Sequence, residues 1–223
     1  MTASEILLLI LEMIGTVSFA VSGAVVGIKS RLDIFGVVFV SAITAFGGGI
    51  VRDILIGRTP PAIFGNIWMV LLAVVSAVIV FAIIYAKREK FSVMEERIEY
   101  INNFFDAIGL AAFSVIGTEV AFVYNVSENM FLSVMLGMLT GIGGGIFRDV
   151  LTDSTPFVFK KHIYALASIM GSALYYILRK SFSNLFAVSL ISMAVIFAIR
   201  MLATKYRWSL PKIKIEKNAE RKD

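Results

Sequence analysis

One motif occurs twice in this chain of 223 residues, and it limits what the chain can become. Gly47-Gly48-Gly49-Ile50-Val51-Arg52-Asp53 returns 96 residues later as Gly143-Gly144-Gly145-Ile146-Phe147-Arg148-Asp149. Each copy lies late in a long apolar segment and is followed by a Thr-Pro pair, Thr59-Pro60 and Thr155-Pro156. Three consecutive glycines weaken a helix, and an Arg-Asp pair beside them is costly in lipid. A chain that keeps both features in both halves is a duplicated membrane protein with a use for polar groups inside the bilayer.

The duplication extends beyond the motif. From Gly47 to Ser76 against Gly143 to Ser172, 11 of 30 positions are identical at a constant offset. Upstream the match continues at an offset of 94, which pairs Glu12 with Asp106, Gly15 with Gly109, Phe19 with Phe113 and Gly23 with Gly117. Two residues were therefore gained or lost between the blocks.

Composition supports a polytopic membrane protein. Hydrophobic residues make up 58% of the chain and the mean hydropathy is +0.86, whereas soluble domains are about 45–50% apolar. A helix crosses the hydrocarbon core with about 20 residues. On that measure the sequence predicts seven spans: Ile6–Ile28, Ile34–Ile56, Ala62–Ala86, Phe104–Tyr124, Met130–Leu151, Phe159–Leu178 and Phe182–Ile199. The sixth is the weakest, because Lys160, Lys161 and His162 crowd its start. The expected fold is all-α. Residues 1–86 form a three-helix repeat, 87–102 a partly helical cytoplasmic connector and 103–178 a second three-helix repeat. Residues 179–203 form a seventh helix and 204–223 a basic tail suited to anionic lipid.

Charge orients this arrangement. One side receives Arg58, Arg179 and Lys180; the other receives Lys29, Arg31, Lys87, Arg88, Lys90, Arg97, Lys160, Lys161 and seven basic residues from Lys205 onward. The positive-inside rule places the second group in the cytoplasm, with the N-terminus outside and the C-terminus inside. Three spans per unit is an odd number, so the second repeat enters from the opposite side. The repeats are inverted about an axis in the membrane plane.

Other classes fall away. The net charge of +5 lies largely in loops and tail, a pattern of topology rather than of nucleic-acid binding. The absence of cysteine and the single histidine, His162, exclude disulfides, thiolate metal sites and His clusters. The glycines are no phosphate loop, since no Gly-Lys-Ser/Thr follows. No nucleophile–base pair or nucleotide fingerprint is present. No enzyme, cofactor or cleavable signal peptide is expected.

The remaining polar residues are candidates for a transport path. The glycine triplets can break their helices and line that path with freed backbone groups, or they can let helices approach closely. Their paired placement beside charge favours the first reading. Adjacent helix positions do not face one another. Arg52 and Asp53, like Arg148 and Asp149, are therefore expected to find partners on other helices, either as pore electrostatics or as structural ion pairs. Glu12 and Glu119 are acids within spans, and Asp106 matches Glu12 but sits close enough to a span start to be a helix-start group. Ser18, Ser22, Thr44, Ser114, Thr118 and Thr140 are further candidates for lining the path, or for bonding their own helix backbone.

These residues carry a resemblance. Two three-helix repeats, each with Gly-Gly-Gly-x-x-Arg-Asp and a later Thr-Pro, plus a seventh helix, resemble prokaryotic members of the trimeric intracellular cation (TRIC) channel family. The resemblance covers about residues 5–203. It implies a homotrimer with a pore in each subunit, conducting monovalent cations, chiefly potassium. It further implies that the second and fifth helices shape the pore at Gly47, Gly48, Gly49, Gly143, Gly144 and Gly145. Arg52, Asp53, Arg148 and Asp149 match the charged part of the motif. Similar bacterial and archaeal sequences are also labelled glycine transporters, so a carrier of small solutes is the rival reading.

Overall fold

The computed structural model describes residues 2–87, 95–160 and 163–208. Expectations for His162, for most of the connector and for the tail beyond 208 lie outside the described residues. The described chain is all-helical: α1 (Ala3–Lys29), α2 (Ile34–Leu55), α3 (Ile67–Ala86), α4 (Glu95–Val123), α5 (Met130–Leu151), a single turn α6 (Phe157–Lys160), α7 (Ile163–Ser181) and α8 (Leu185–Lys205). A 3-10 turn, Ala62–Gly65, precedes α3.

The repeat is visible in the helix ends. α2 and α5 begin and end 96 residues apart, and α3 and α7 begin 96 apart. Asp33 caps α2 through the Gly36 N–H at 2.7 Å, and Asn129, its repeat partner, caps α5 through the Leu132 N–H at 3.1 Å. The C-terminal ends match as well. Arg31 and Asn125 close α1 and α4 in the left-handed conformation, as Gly57 and Asp153 close α2 and α5. Since 31 pairs with 125 but 33 with 129, the two extra residues sit in the α4–α5 connection.

α1, α2, α4 and α5 form the centre. α3 flanks α1 and α2, α7 flanks α4 and α5, and α8 lies against α4 and α7. Reciprocal contacts mark the pseudo-two-fold axis. The side-chain space of Gly15 is filled by the Phe113 ring at 3.0 Å, and that of Gly109 by the Phe19 ring. The two rings meet with centroids 5.2 Å apart. In a two-fold contact, i touches j and the copy of j touches the copy of i. This pairing is that relation inside one chain, so the repeats are inverted.

Among the described residues, six helices are long and apolar enough to cross a membrane: α1, α2, α3, α4, α5 and α8. The chain is a multi-pass membrane protein. α7 falls short in hydropathy, as the weak sixth span suggested. It nonetheless runs the full depth of the bundle, from Tyr164 beside Arg148 to Arg179 on Glu119. Two boundaries differ from expectation. α4 starts at Glu95, so at ~1.5 Å per residue its 29 residues reach about 43 Å, beyond a hydrocarbon core of about 30 Å. Asp106 is thus well inside a helix rather than at its start. α8 continues past Ile199, which carries Arg200 into the protein interior.

Candidate functional site

The glycine triplets do not interrupt their helices. Helical structure is continuous through Gly47–Gly49 and Gly143–Gly145, which overturns the expected break. The triplets are instead where α2 crosses α5. A Cβ on Gly48 would collide with the Thr140 carbonyl, and one on Gly144 with the Thr44 carbonyl. A Cβ on Gly143 would stand 2.9 Å from the Gly48 Cα, and one on Gly47 2.6 Å from the Phe147 ring. Without a hydrophobic force between helices in lipid, such close backbone approach is what holds them together. The third glycine of each triplet faces elsewhere: among the described residues a Cβ on Gly49 would meet the Arg52 guanidinium at 3.6 Å and nothing nearer, and one on Gly145 would meet the Tyr164 hydroxyl at 3.1 Å.

The charged pairs also correct an expectation. Arg52 donates from Nε and Nη2 to Asp53 Oδ1 at 2.9 and 2.7 Å. Arg148 donates from Nε to Asp149 Oδ1 at 2.8 Å. Sequence neighbours do pair, because an arginine stem is long enough to curl around the helix to the next carboxylate. The second oxygen of each aspartate has a separate task. Asp53 Oδ2 accepts from the Ala62 N–H and Asp149 Oδ2 from the Phe157 N–H, both at 2.8 Å. Each aspartate therefore fastens the segment that follows its Thr-Pro pair back onto the helix end.

The two halves then diverge. On the face carrying the N-terminus, Glu12, Thr16, Gly49, Arg52 and Asp53 border a small cleft. The cleft adjoins a cavity of ≈ 570 Å³ whose lining includes Glu5, Glu12, Arg52, Arg58, Asn66 and Glu119. Glu119 Oε2 accepts from the Tyr175 hydroxyl at 2.8 Å and from Arg179 Nε at 3.1 Å. On the opposite face the equivalent residues are sealed inside. Arg148 Nη1 donates to Asp106 Oδ1 at 2.8 Å and to the Ser22 hydroxyl at 2.6 Å, and Ser22 donates to Asn102 Oδ1 at 2.9 Å. Arg148 therefore meets partners on α1 and α4, as expected for this pair, while also holding its neighbour. Arg200 reaches the same cluster from α8, its Nη2 3.9 Å from Asp106 Oδ2. With Asp106, Asp149, Arg148 and Arg200 all buried, the cluster is formally neutral.

The hydroxyl candidates divide in the same way. Thr44 and Thr140 donate to the Val40 and Leu136 carbonyls at 2.6 Å each and sit at the α2–α5 crossing. Ser18 is buried on α1 one turn from Ser22. Thr118 donates to the Ser114 carbonyl at 2.8 Å, and Ser114 meets Ser168 of α7 at 2.6 Å. Ser114 therefore faces α7, and the Thr118 hydroxyl lies in the side-chain space of Gly137 on α5; neither lines the first-face cavity. Sequence reasoning passed over Arg200, Tyr164, Tyr175 and Asn102. A signal existed for Arg200. Of the 21 basic residues, topology assigns 18 to the two faces; the three left over are Arg52, Arg148 and Arg200, and all three are buried.

Known proteins share this arrangement. A family model described as "Glycine transporter" matches residues 9–85 and 103–180, one segment per repeat. The inner membrane protein YadS of Escherichia coli is 32% identical over 93% of this chain and 97% of its own length. The membrane protein YvgT of Bacillus subtilis is 32% identical over 91% and 94%. Among solved structures, a prokaryotic TRIC channel crystallised in 0.5 M KCl is similar with a TM-score of 0.83 and 32% identity, over 92% of this chain and all of that one. The TRIC trimeric intracellular cation channel orthologue from Rhodobacter sphaeroides is similar with a TM-score of 0.80 and 27% identity, over 91% and 99%.

Proposed function

Because this chain belongs to the family whose model is described as glycine transporter, and with it to the fold and sequence neighbourhood of the prokaryotic TRIC channels, we propose that it is a potassium-permeable cation channel with one pore in each subunit of a homotrimer. Seven helices cross the membrane in this reading, α7 included, with the N-terminus outside and the basic face in the cytoplasm. The observation that carries it is an inward-facing acid on each side of a single glycine crossing, Glu12 at an open cavity and Asp106 in a closed cluster. The path enters the first-face cavity, passes Glu12, Thr16 and Gly49, and meets the crossing of α2 and α5. Beyond the crossing lie Ser18, Ser22 and Asp106. Carboxylates along such a path attract cations. The crossing in the present state has no gap, so conduction requires α2 and α5 to part at Gly48 and Gly144.

A second reading has its own support. A closed crossing between two polar half-paths, related by inverted repeats, also suits an alternating-access carrier of a small zwitterion such as glycine. Current across a planar bilayer under a potassium chloride gradient separates the two. Single-channel steps reversing near the potassium equilibrium potential are expected. A silent bilayer with saturable glycine uptake by the same preparation in liposomes would replace the channel by the carrier.

A further inference from the structure

α8 stands outside the duplication, yet it delivers a charge to the centre of the second repeat. Arg200 is 2% exposed. Its guanidinium lies over the Tyr164 ring at 4.6 Å from the centroid, and its ion-pair distance to Asp106 is a long 3.9 Å. Its Nε and Nη2 have no hydrogen-bond partner among the described residues. Arg148, in the same cluster, makes three hydrogen bonds of 2.6 to 2.8 Å. Buried arginines are normally satisfied throughout their fork. Arg148 also leaves its Nη2 without a hydrogen-bond partner among the described residues, but its other two nitrogens tie it to α1, α4 and its own helix; no such bond holds Arg200 Nε or Nη2.

Repeat symmetry shows what Arg200 displaces. Asp106 is the partner of Glu12, and Gly145 of Gly49. In the first repeat, Glu12 and Gly49 border an open cleft. In the second, the Tyr164 hydroxyl fills the side-chain space of Gly145, 3.1 Å from where a Cβ would stand, and Arg200 stands over Tyr164 and against Asp106. The residue at the Tyr164 position in the first repeat, Trp68, points outward and is exposed. The second-face half of the path is thus filled by two side chains with no functional counterpart in the first.

We propose that Arg200, stacked on Tyr164, is a removable plug of the second-face half of the pore: in place, it blocks the path and supplies the second positive charge that makes the Asp106, Asp149 and Arg148 cluster neutral, a cluster that without it carries a net negative charge and attracts cations. This rests on the channel reading. Displacing Arg200 makes the second half resemble the first, a carboxylate held by its arginine beside an open cleft. The guanidinium can leave because few bonds hold it and because it sits close to the C-terminal end of α8.

Two measurements test this on the full chain. The first is planar-bilayer current of Arg200→Gln and Arg200→Lys beside the parent. Removing one unit charge a few ångströms from a permeating cation, in a medium of intermediate dielectric, is worth about tenfold or more in occupancy. Arg200→Gln is therefore expected to raise mean current by about that factor, with Arg200→Lys staying near the parent. The second uses the absence of native cysteine. Ser18→Cys, a near-isosteric probe one turn deeper than Ser22, is treated from the second face with a membrane-impermeant cationic thiol reagent. Labelling is expected to be slow in the parent background and accelerated by Arg200→Gln. Should Arg200→Gln fail to assemble, Tyr164→Leu, which removes the ring under the guanidinium, is expected to accelerate labelling instead. Parental current and parental labelling in these variants would overturn the plug. So would loss of current in an Arg200→Gln protein of parental assembly. A parent that is silent in bilayers removes the channel reading, while the labelling result still decides whether Arg200 covers the path.

Discussion

The crossing of α2 and α5 makes a quantitative demand on Gly144. Gly144→Ala adds one methyl group, and that methyl is aimed at the Thr44 carbonyl, which is backbone and has no rotamer to yield. Alanine returns about 1 kcal/mol of helix propensity. Overpacking a close contact costs about 1–3 kcal/mol, and a rigid obstruction belongs in the upper half of that range. The net effect is a loss of about 1–2 kcal/mol. Gly49→Ala is the internal control. Its methyl meets only the end of the Arg52 side chain at 3.6 Å, so it is expected to keep the propensity gain of up to about 1 kcal/mol. For a chain of this size each kcal/mol moves the midpoint by about 2–4 °C. The two variants should therefore differ by about 5–10 °C in thermal unfolding of detergent-solubilised protein, followed by size-exclusion chromatography. Gly48→Ala should behave like Gly144→Ala, and the double variant should lose less than the sum, because helices already pushed apart by one methyl accommodate the second. Equal destabilisation by Gly49→Ala and Gly144→Ala, or strict additivity of the pair, would refute the crossing as the reason for these glycines.

Three further outcomes follow from the same geometry. Asp149→Asn leaves an excess buried arginine in a sealed cluster and is expected to cost about 3–5 kcal/mol, against about 1–3 kcal/mol for Asp53→Asn beside a hydrated cleft; thermal unfolding ranks them, and a reversed order would contradict the asymmetry of the halves. Glu12→Gln is expected to lower potassium conductance about two- to tenfold at low salt and less at high salt, with assembly unchanged, as one carboxylate near a wet path would; unchanged single-channel conductance would remove Glu12 from the pore. Chemical cross-linking of solubilised protein is expected to saturate at three subunits, and a dominant dimer would count against the trimer.

Much of this architecture is written in residue spacing. The offsets of 96 and 94 paired Gly15 with Gly109 and Phe19 with Phe113, and the structure turns those equivalences into reciprocal contacts, with equivalent caps at Asp33 and Asn129 that the sequence reading does not single out. They also placed the two-residue difference between the blocks. The role of the triplets was less legible, because a glycine marks a site of either broken backbone or close approach, and only the neighbouring helix decides. Here the neighbour is Thr140 or Thr44, one turn before the facing triplet, so close approach won. The Arg-Asp pairs were misjudged for a different reason. Rules for neighbouring helix positions describe short side chains, whereas a guanidinium on three methylenes reaches around the helix. Arg200 escaped notice because an apolar run reads as ending at its first charge, although Met201, Leu202 and Ala203 continue it.

In the proposed channel, the pattern of bonds also selects which helix would move if the crossing opened. Gly48 on Thr140 and Gly144 on Thr44 are two sides of one contact, so separating α2 from α5 releases both. The charged group at the end of α2 is self-contained: Arg52 bonds Asp53, and Asp53 bonds the Ala62 backbone within the same connection. α2 can therefore shift without breaking an ion pair to another helix. α5 has no such freedom, since Arg148 is tied to Asp106 of α4 and Ser22 of α1, and all three are fully buried. On the channel reading, α2 and its connection would be the movable side, and α5 with α4 the frame. A disulfide or cross-link fixing α2 to α5 should then abolish conduction, whereas one fixing α5 to α4 should leave it intact. Loss of current from the α4–α5 link alone would reverse the assignment.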